Sequence, residues 1–265
     1  MRLKSKVAIV TGGGRGIGKA IALAFASEGA AVVVGARSLS KLEKTVEEIQ
    51  SKGGRAKAVQ TDITDEKQVE RMVAETIKAY GQIDILMNNS GIGGPTVPVV
   101  DLKLEDWNDV LAIDLTGSML CAKHVLKHMI PRRSGNIINM AAEGGRGGDG
   151  RAGYPMRSPY CCAKMGVIGL TETLAIEVGK YNIRVNAISP AAVRGERIMN
   201  VVKGRAEATG VPFEELMSKM TANYSLGRMA EESEIAAAAV FLASDESSAI
   251  TGQTLVTHCG QHIVH

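Results

Sequence analysis

Aromatic residues are scarce: one Trp, five Tyr and three Phe in 265 residues. A core with so few rings must be built from Val, Ile, Leu, Ala and Met. Proline is also sparse, at seven, and no Gly-X-Y period runs through the chain, so a collagen-like rod is excluded. Four cysteines make no disulfide framework. Cys161 and Cys162 are adjacent and do not easily bridge each other, and no Cys/His pair has metal-ligand spacing, so no metal site is expected. Neither charge dominates: 31 Lys and Arg against 28 Asp and Glu give +3 without basic blocks, which speaks against nucleic acid. No apolar run reaches the length of a membrane span, and the opening residues lack a signal-type apolar segment. The expectation is a globular cytoplasmic protein that acts on a small molecule.

Glycine is in excess, with 30 residues against roughly 7% in average usage. Its placement follows an alternation of short apolar runs and helical patterns. Val7 to Val10 is apolar throughout, as a strand buried on both faces should be. Further strands are expected at 31–35, 56–60, 83–87, 136–140, 183–188 and 254–256. Helices are expected at 17–28, 41–50, 66–80, 104–129, 159–179 and 232–242. Repeated β-α-β units predict one α/β domain over 1–265, a doubly wound Rossmann-type fold with a parallel sheet and helices on both faces. Two segments break the alternation. Residues 143–157 hold six glycines, and 190–229 reads as a loop or lid. Both follow strands, so both belong at the carboxyl edge where such sheets bind ligands.

The first glycine cluster, Gly12-Gly13-Gly14-Arg15-Gly16-Ile17-Gly18, lies between the first strand and the first helix. Glycines permit a tight turn and close approach to a pyrophosphate, and a helix N-terminus adds N–H donors and a favourable dipole. The spacing is G-x-x-x-G-x-G. With Asp62-Ile63, Asn88-Asn89-Ser90-Gly91, Tyr160-x-x-x-Lys164, Ile183-Arg184-Val185-Asn186 and Ser189-Pro190 in order, the chain resembles the short-chain dehydrogenase/reductase family over nearly its whole length.

That resemblance implies a seven-stranded sheet, a nicotinamide dinucleotide, and hydride transfer between an alcohol and a carbonyl. The implied cofactor residues are Gly12, Gly14, Arg15, Gly16, Ile17, Gly18, Arg37, Asp62, Ile63, Asn89, Ser90, Gly91, Tyr160, Lys164, Pro190 and Val193. NADP(H) is favoured over NAD(H): the acidic residue that would accept from a ribose 2′-hydroxyl is replaced by Ala36, and Arg37 follows. NAD(H) remains possible if Arg37 and Arg15 are only solvated side chains. The resemblance also implies a homotetramer, or a homodimer, through the helices at 104–129 and 159–179.

Tyr160 matches the family's general acid/base and Lys164 its assisting cation; their i,i+4 spacing places them together on a helix. Two positions depart from the pattern. Ala142 stands where a Ser usually bonds the substrate oxygen, and Asp114 where an Asn usually holds a water relay. Three readings stay open: an oxidoreductase with a substitute donor, a lyase or isomerase that keeps the cofactor without net hydride transfer, and a non-catalytic nucleotide binder. Substitute donors and substrate contacts are sought in Glu143, Arg146, Ser158, Arg194 and Arg197. The apolar residues of the lid either line a pocket or merely pack it. His258, His262 and His265 are read as exposed.

Overall fold

Strands that are apolar at every position need cover on both faces. In the computed structural model, residues 1–142, 153, 155–196, 198–199, 202–203, 206, 210–222 and 224–261 are described. The first half comprises Val7–Thr11 (β1), Gly16–Ser27 (α1), Ala31–Ala36 (β2), Leu39–Ser51 (α2), Arg55–Gln60 (β3), Glu66–Tyr80 (α3) and Ile85–Asn88 (β4). Leu104–Leu111 (α4), Gly117–Arg132 (α5), Gly135–Met140 (β5), Ser158–Val178 (α6) and Ile183–Pro190 (β6) follow. Val193–Arg194 (β7), Phe213–Thr221 (α7), Ala230–Glu231 (β8), Glu232–Ala243 (α8) and Thr254–Thr257 (β9) complete the described elements.

Seven strands form one parallel sheet in the order β3-β2-β1-β4-β5-β6-β9, while β7 and β8 make a separate pair. Each face of the sheet has its own core. One joins Phe25 of α1, Leu42 of α2 and Val240 of α8 to Val10 and Val34. The other joins Met72 of α3, Val125 of α5 and Val178 of α6 to Ile9 and Leu86. This is the expected doubly wound α/β architecture. The chain order reverses between β1 and β4, which opens a crevice at their carboxyl ends.

Local chemistry sets the element ends. The Asp65 carboxylate caps α3 by accepting from the N–H groups of Lys67 and Gln68, and Gly81 ends it at φ +78°. Glu231 and Glu234 form a capping box at the start of α8.

Two expectations need correction. The fourth strand starts at Ile85, not Ile83; just before it, the Asp84 carboxylate accepts from the N–H of Val7 (2.8 Å) and from Arg132 (2.7 Å). The helix expected at 104–129 is not uniform either. A π-helical turn, Ala112–Thr116, joins α4 to α5, and it buries Asp114. Residues 190–229 hold β7 and α7, and no helix in the described residues is long and apolar enough to cross a membrane.

Candidate active site

The glycine turn is locked to the neighbouring strand end by Thr11 and Asn89. The Thr11 hydroxyl accepts from the N–H groups of Asn89 (3.0 Å) and Ser90 (3.1 Å), and Asn89 Nδ2 donates to the Thr11 carbonyl at 2.9 Å. Gly12 sits at φ +69°, and a Cβ there would lie 2.8 Å from Asn89 Nδ2. No side chain caps the N-terminus of α1 and no acid lies in its first turn. Its positive end, including Gly16, Ile17 and Gly18, is therefore open to an anion. The turn fits a dinucleotide pyrophosphate on this ground. Arg15 and Arg37 beside it are exposed, and neither pairs with a carboxylate among the described residues.

Tyr160 and Lys164 rise from the first turns of α6. The ammonium of Lys164 is buried, 5.7 Å from the Tyr160 ring centroid. It donates to the Met140 carbonyl at 2.9 Å and lies 3.2 Å from Asp114 Oδ2. That oxygen has no aligned hydrogen bond, so the pairing acts through charge. The other oxygen, Oδ1, accepts from the N–H of Ile92 at 2.7 Å. Gly91 leaves room for the carboxylate: a Cβ there would stand 3.1 Å from Oδ2. The structure thus brings Tyr160, Lys164, Asp114 and Gly91 together at the ends of β4 and β5. Ala142 is buried just beyond β5 and offers only a methyl group.

The remaining expected residues divide. Asp62 Oδ1 is occupied by the N–H (3.0 Å) and hydroxyl (2.8 Å) of Thr64. Ile63 is buried against Gly117. Pro190 ends β6, and Val193 pairs with Ala230 in the β7–β8 ladder. Arg194 is engaged by Glu231 at 3.1 Å. The Ser158 hydroxyl is buried without a partner. Glu143, Arg146 and Arg197 lie outside the described residues, as do His262 and His265. His258 is half-buried, not exposed, because its Nδ1 accepts from the N–H of Gly260 at 3.0 Å. Among the described residues no group of His, Cys, Asp and Glu could hold a metal.

Sequence reasoning missed two residues. Arg157 places its guanidinium 5.0 Å from the Tyr160 ring centroid and donates from Nη2 to the Gly93 carbonyl at 2.7 Å. Glu232, at the start of α8, lies beside the glycine turn: its Oε1 would be 3.6 Å from a Cβ on Gly16. Burial, and then the neighbouring Glu231 carboxylate, push the Glu232 pKa up. Neither residue carries a local signal, since each contact spans elements distant in sequence or depends on a ring orientation.

A family model described as enoyl-(acyl carrier protein) reductase matches residues 12–262. The chain belongs to the short-chain dehydrogenase/reductase family. It is 36% identical to the 3-oxoacyl-(acyl-carrier-protein) reductase FabG of Thermotoga maritima, covering 96% of this chain and 97% of that protein. The structure of NAD+-bound xylitol dehydrogenase is similar at TM-score 0.89 and 33% identity, covering 97% of this chain and 98% of the other. A variant actinorhodin polyketide ketoreductase with NADPH is similar at TM-score 0.90 and 33% identity, with the same coverage. This membership supports a nicotinamide dinucleotide cofactor and oxidoreductase chemistry between alcohols and carbonyls.

The Asp114–Lys164 pair yields a stability prediction. Removing one partner of a buried ion pair strands the other charge, at a cost of about 3–5 kcal/mol. Urea unfolding of Asp114→Leu is expected to show a loss of that size. Asp114→Asn, which keeps an acceptor for Ile92 and Lys164, is expected to lose less.

Proposed function

We propose that this protein is an NADP(H)-dependent oxidoreductase that interconverts an alcohol and a carbonyl, with Tyr160 as general acid/base. The observation that carries this reading is the approach of the buried Lys164 ammonium to the Tyr160 ring, 5.7 Å from its centroid, at the sheet edge that also presents the open end of α1. When bound, the nicotinamide supplies or accepts the hydride. Tyr160 delivers a proton to the carbonyl oxygen in reduction and takes it back in oxidation. Lys164 holds a positive charge beside the phenol and, in this reading, bonds the nicotinamide ribose. Asp114 and the Met140 carbonyl fix that ammonium in place.

In the same reading, Gly12, Gly14, Arg15, Gly16, Ile17 and Gly18 hold the pyrophosphate, and Asp62 and Ile63 border the adenine. Asn89, Ser90 and Gly91 line the crevice, and Pro190 and Val193 border the carboxamide. The preference for NADP(H) rests on Arg37 and Arg15, exposed cations with no acid at Ala36 to oppose them. A homotetramer or homodimer would cover Ile176 of α6, which is 84% exposed, and Met119 of α5.

Three measurements test this reading. NADPH is expected to bind more tightly than NADH, and Arg37→Ala to weaken NADPH about tenfold while sparing NADH; equal affinities contradict the preference. Tyr160→Phe is expected to lower kcat by about 10²–10⁴-fold, and full activity contradicts the acid/base role. Glu232 adds a pH effect. Its carboxyl has a raised pKa, so it is neutral at acid pH and becomes an anion beside the pyrophosphate turn as pH rises. Cofactor affinity is therefore expected to fall through that titration, by a few-fold given solvent screening, and to lose this component in Glu232→Gln. Titrations at several pH values check it.

A further inference from the structure

Two cations stand close to the Tyr160 ring, and their circumstances differ. The charge of Lys164 is matched inside the protein by Asp114 at 3.2 Å. Arg157, 5.0 Å from the ring centroid, has no such match. Its hydrogen bonds go to neutral groups: the Gly93 carbonyl at 2.7 Å and the Thr96 hydroxyl at 3.5 Å. No carboxylate pairs with it among the described residues. Its Nε is buried without an acceptor, and so is the adjacent Ser158 hydroxyl. Buried donors are ordinarily satisfied, and two orphans on consecutive residues at the start of α6 call for an explanation.

The charge balance around the ring is correspondingly uneven. Asp114 is committed to Lys164, and Arg194, beyond β6, is committed to Glu231. α4 carries Asp106 and Asp109, neither of which pairs with Arg157 or Lys164. The described residues therefore leave one uncompensated positive charge at the ring. The Gly93 carbonyl anchors it in place, unlike a charge on a freely moving surface arm.

From this we infer that Arg157 is a specificity-determining residue that receives a carboxylate of the substrate, so that the substrates are oxo acids and the corresponding hydroxy acids. The inference rests on the reading of Tyr160 as acid/base, because it places the carboxylate near the carbon on which Tyr160 acts. A guanidinium presents N–H groups in a fork that suits two carboxylate oxygens. The hydroxyl of the next residue, Ser158, is a further donor without a partner. A single guanidinium and one hydroxyl suit a monoanion better than a phosphate, which would call for more positive charge. With Ala142 giving no hydroxyl, orientation of the substrate falls to Arg157 and to Tyr160.

The test pairs short 2-oxo and 3-oxo acids with their uncharged amides, such as 3-oxobutanoate with 3-oxobutanamide, using NADPH as reductant. The wild-type protein is expected to prefer at least one acid over its amide by tenfold or more in kcat/KM. Arg157→Met is expected to collapse that ratio by about ten- to a hundred-fold, mainly through KM, and Arg157→Lys to retain part of it. Calorimetric binding of 3-hydroxybutanoate and 2-hydroxybutanoate to the protein loaded with NADPH, a pairing that cannot react, gives a readout without turnover, and Arg157→Met is expected to weaken at least one of them tenfold or more. No acid preference in any pair, or a preference that survives in Arg157→Met, overturns the inference. Tyr160→Phe separates the two claims. Retained turnover there removes the acid/base reading, while the acid-to-amide ratio continues to report on Arg157 alone.

Discussion

A lysine ammonium taken out of water has to be paired, and the site is arranged around that requirement at Lys164. Its partners come from two different elements: Asp114 from the π turn between α4 and α5, and the Met140 carbonyl from the end of β5. The ammonium therefore ties α6 to the sheet edge and to the neighbouring helix at one point. Asp114 extends the tie by taking the N–H of Ile92, which fixes the chain leaving β4. Gly91 has no side chain to obstruct the carboxylate. Tyr160 stands on the helix that this pairing holds.

The pairing also changes how charge is distributed. With a carboxylate against Lys164, the next cation at the ring, Arg157, is left for other work. The same economy holds at the opposite end of the crevice. Among the described residues, Arg15 and Arg37 are exposed and unpaired by carboxylates, whereas Glu232 beside the turn is half-buried and has a raised pKa. A pyrophosphate and an anionic substrate would be served by cations that the protein itself does not neutralise.

Much of the fold was legible in the sequence because parallel strands buried on both faces leave unbroken apolar runs, as in β1 and β2. The π turn was not, since the helical period continues through Ala112–Thr116 and one widened turn leaves no mark in composition. The start of β4 was misplaced by two residues because Ile83 is as apolar and as buried as the strand itself, so the apolar run does not mark the boundary. Tyr160, Lys164 and the glycine turn were visible as motifs. Asp114 was visible only as a departure from a pattern; its partner Lys164 lies fifty residues away. Arg157 and Glu232 carried no signal, since a ring face and a turn on another element give them their meaning. Glu143, Arg146 and Arg197 lie outside the described residues.

The proposed chemistry requires net hydride transfer between the nicotinamide and the substrate carbon, with Tyr160 moving the proton and Ala142 contributing no hydroxyl. Reduced NADPH carrying deuterium at the transferable position, followed through a single turnover with an oxo acid, tests it most directly. One deuterium on the carbinol carbon of the product and an equimolar loss of reduced-cofactor absorbance are expected. A product formed without label and without any change in absorbance would rule out net hydride transfer and leave proton transfer by Tyr160 as the whole reaction.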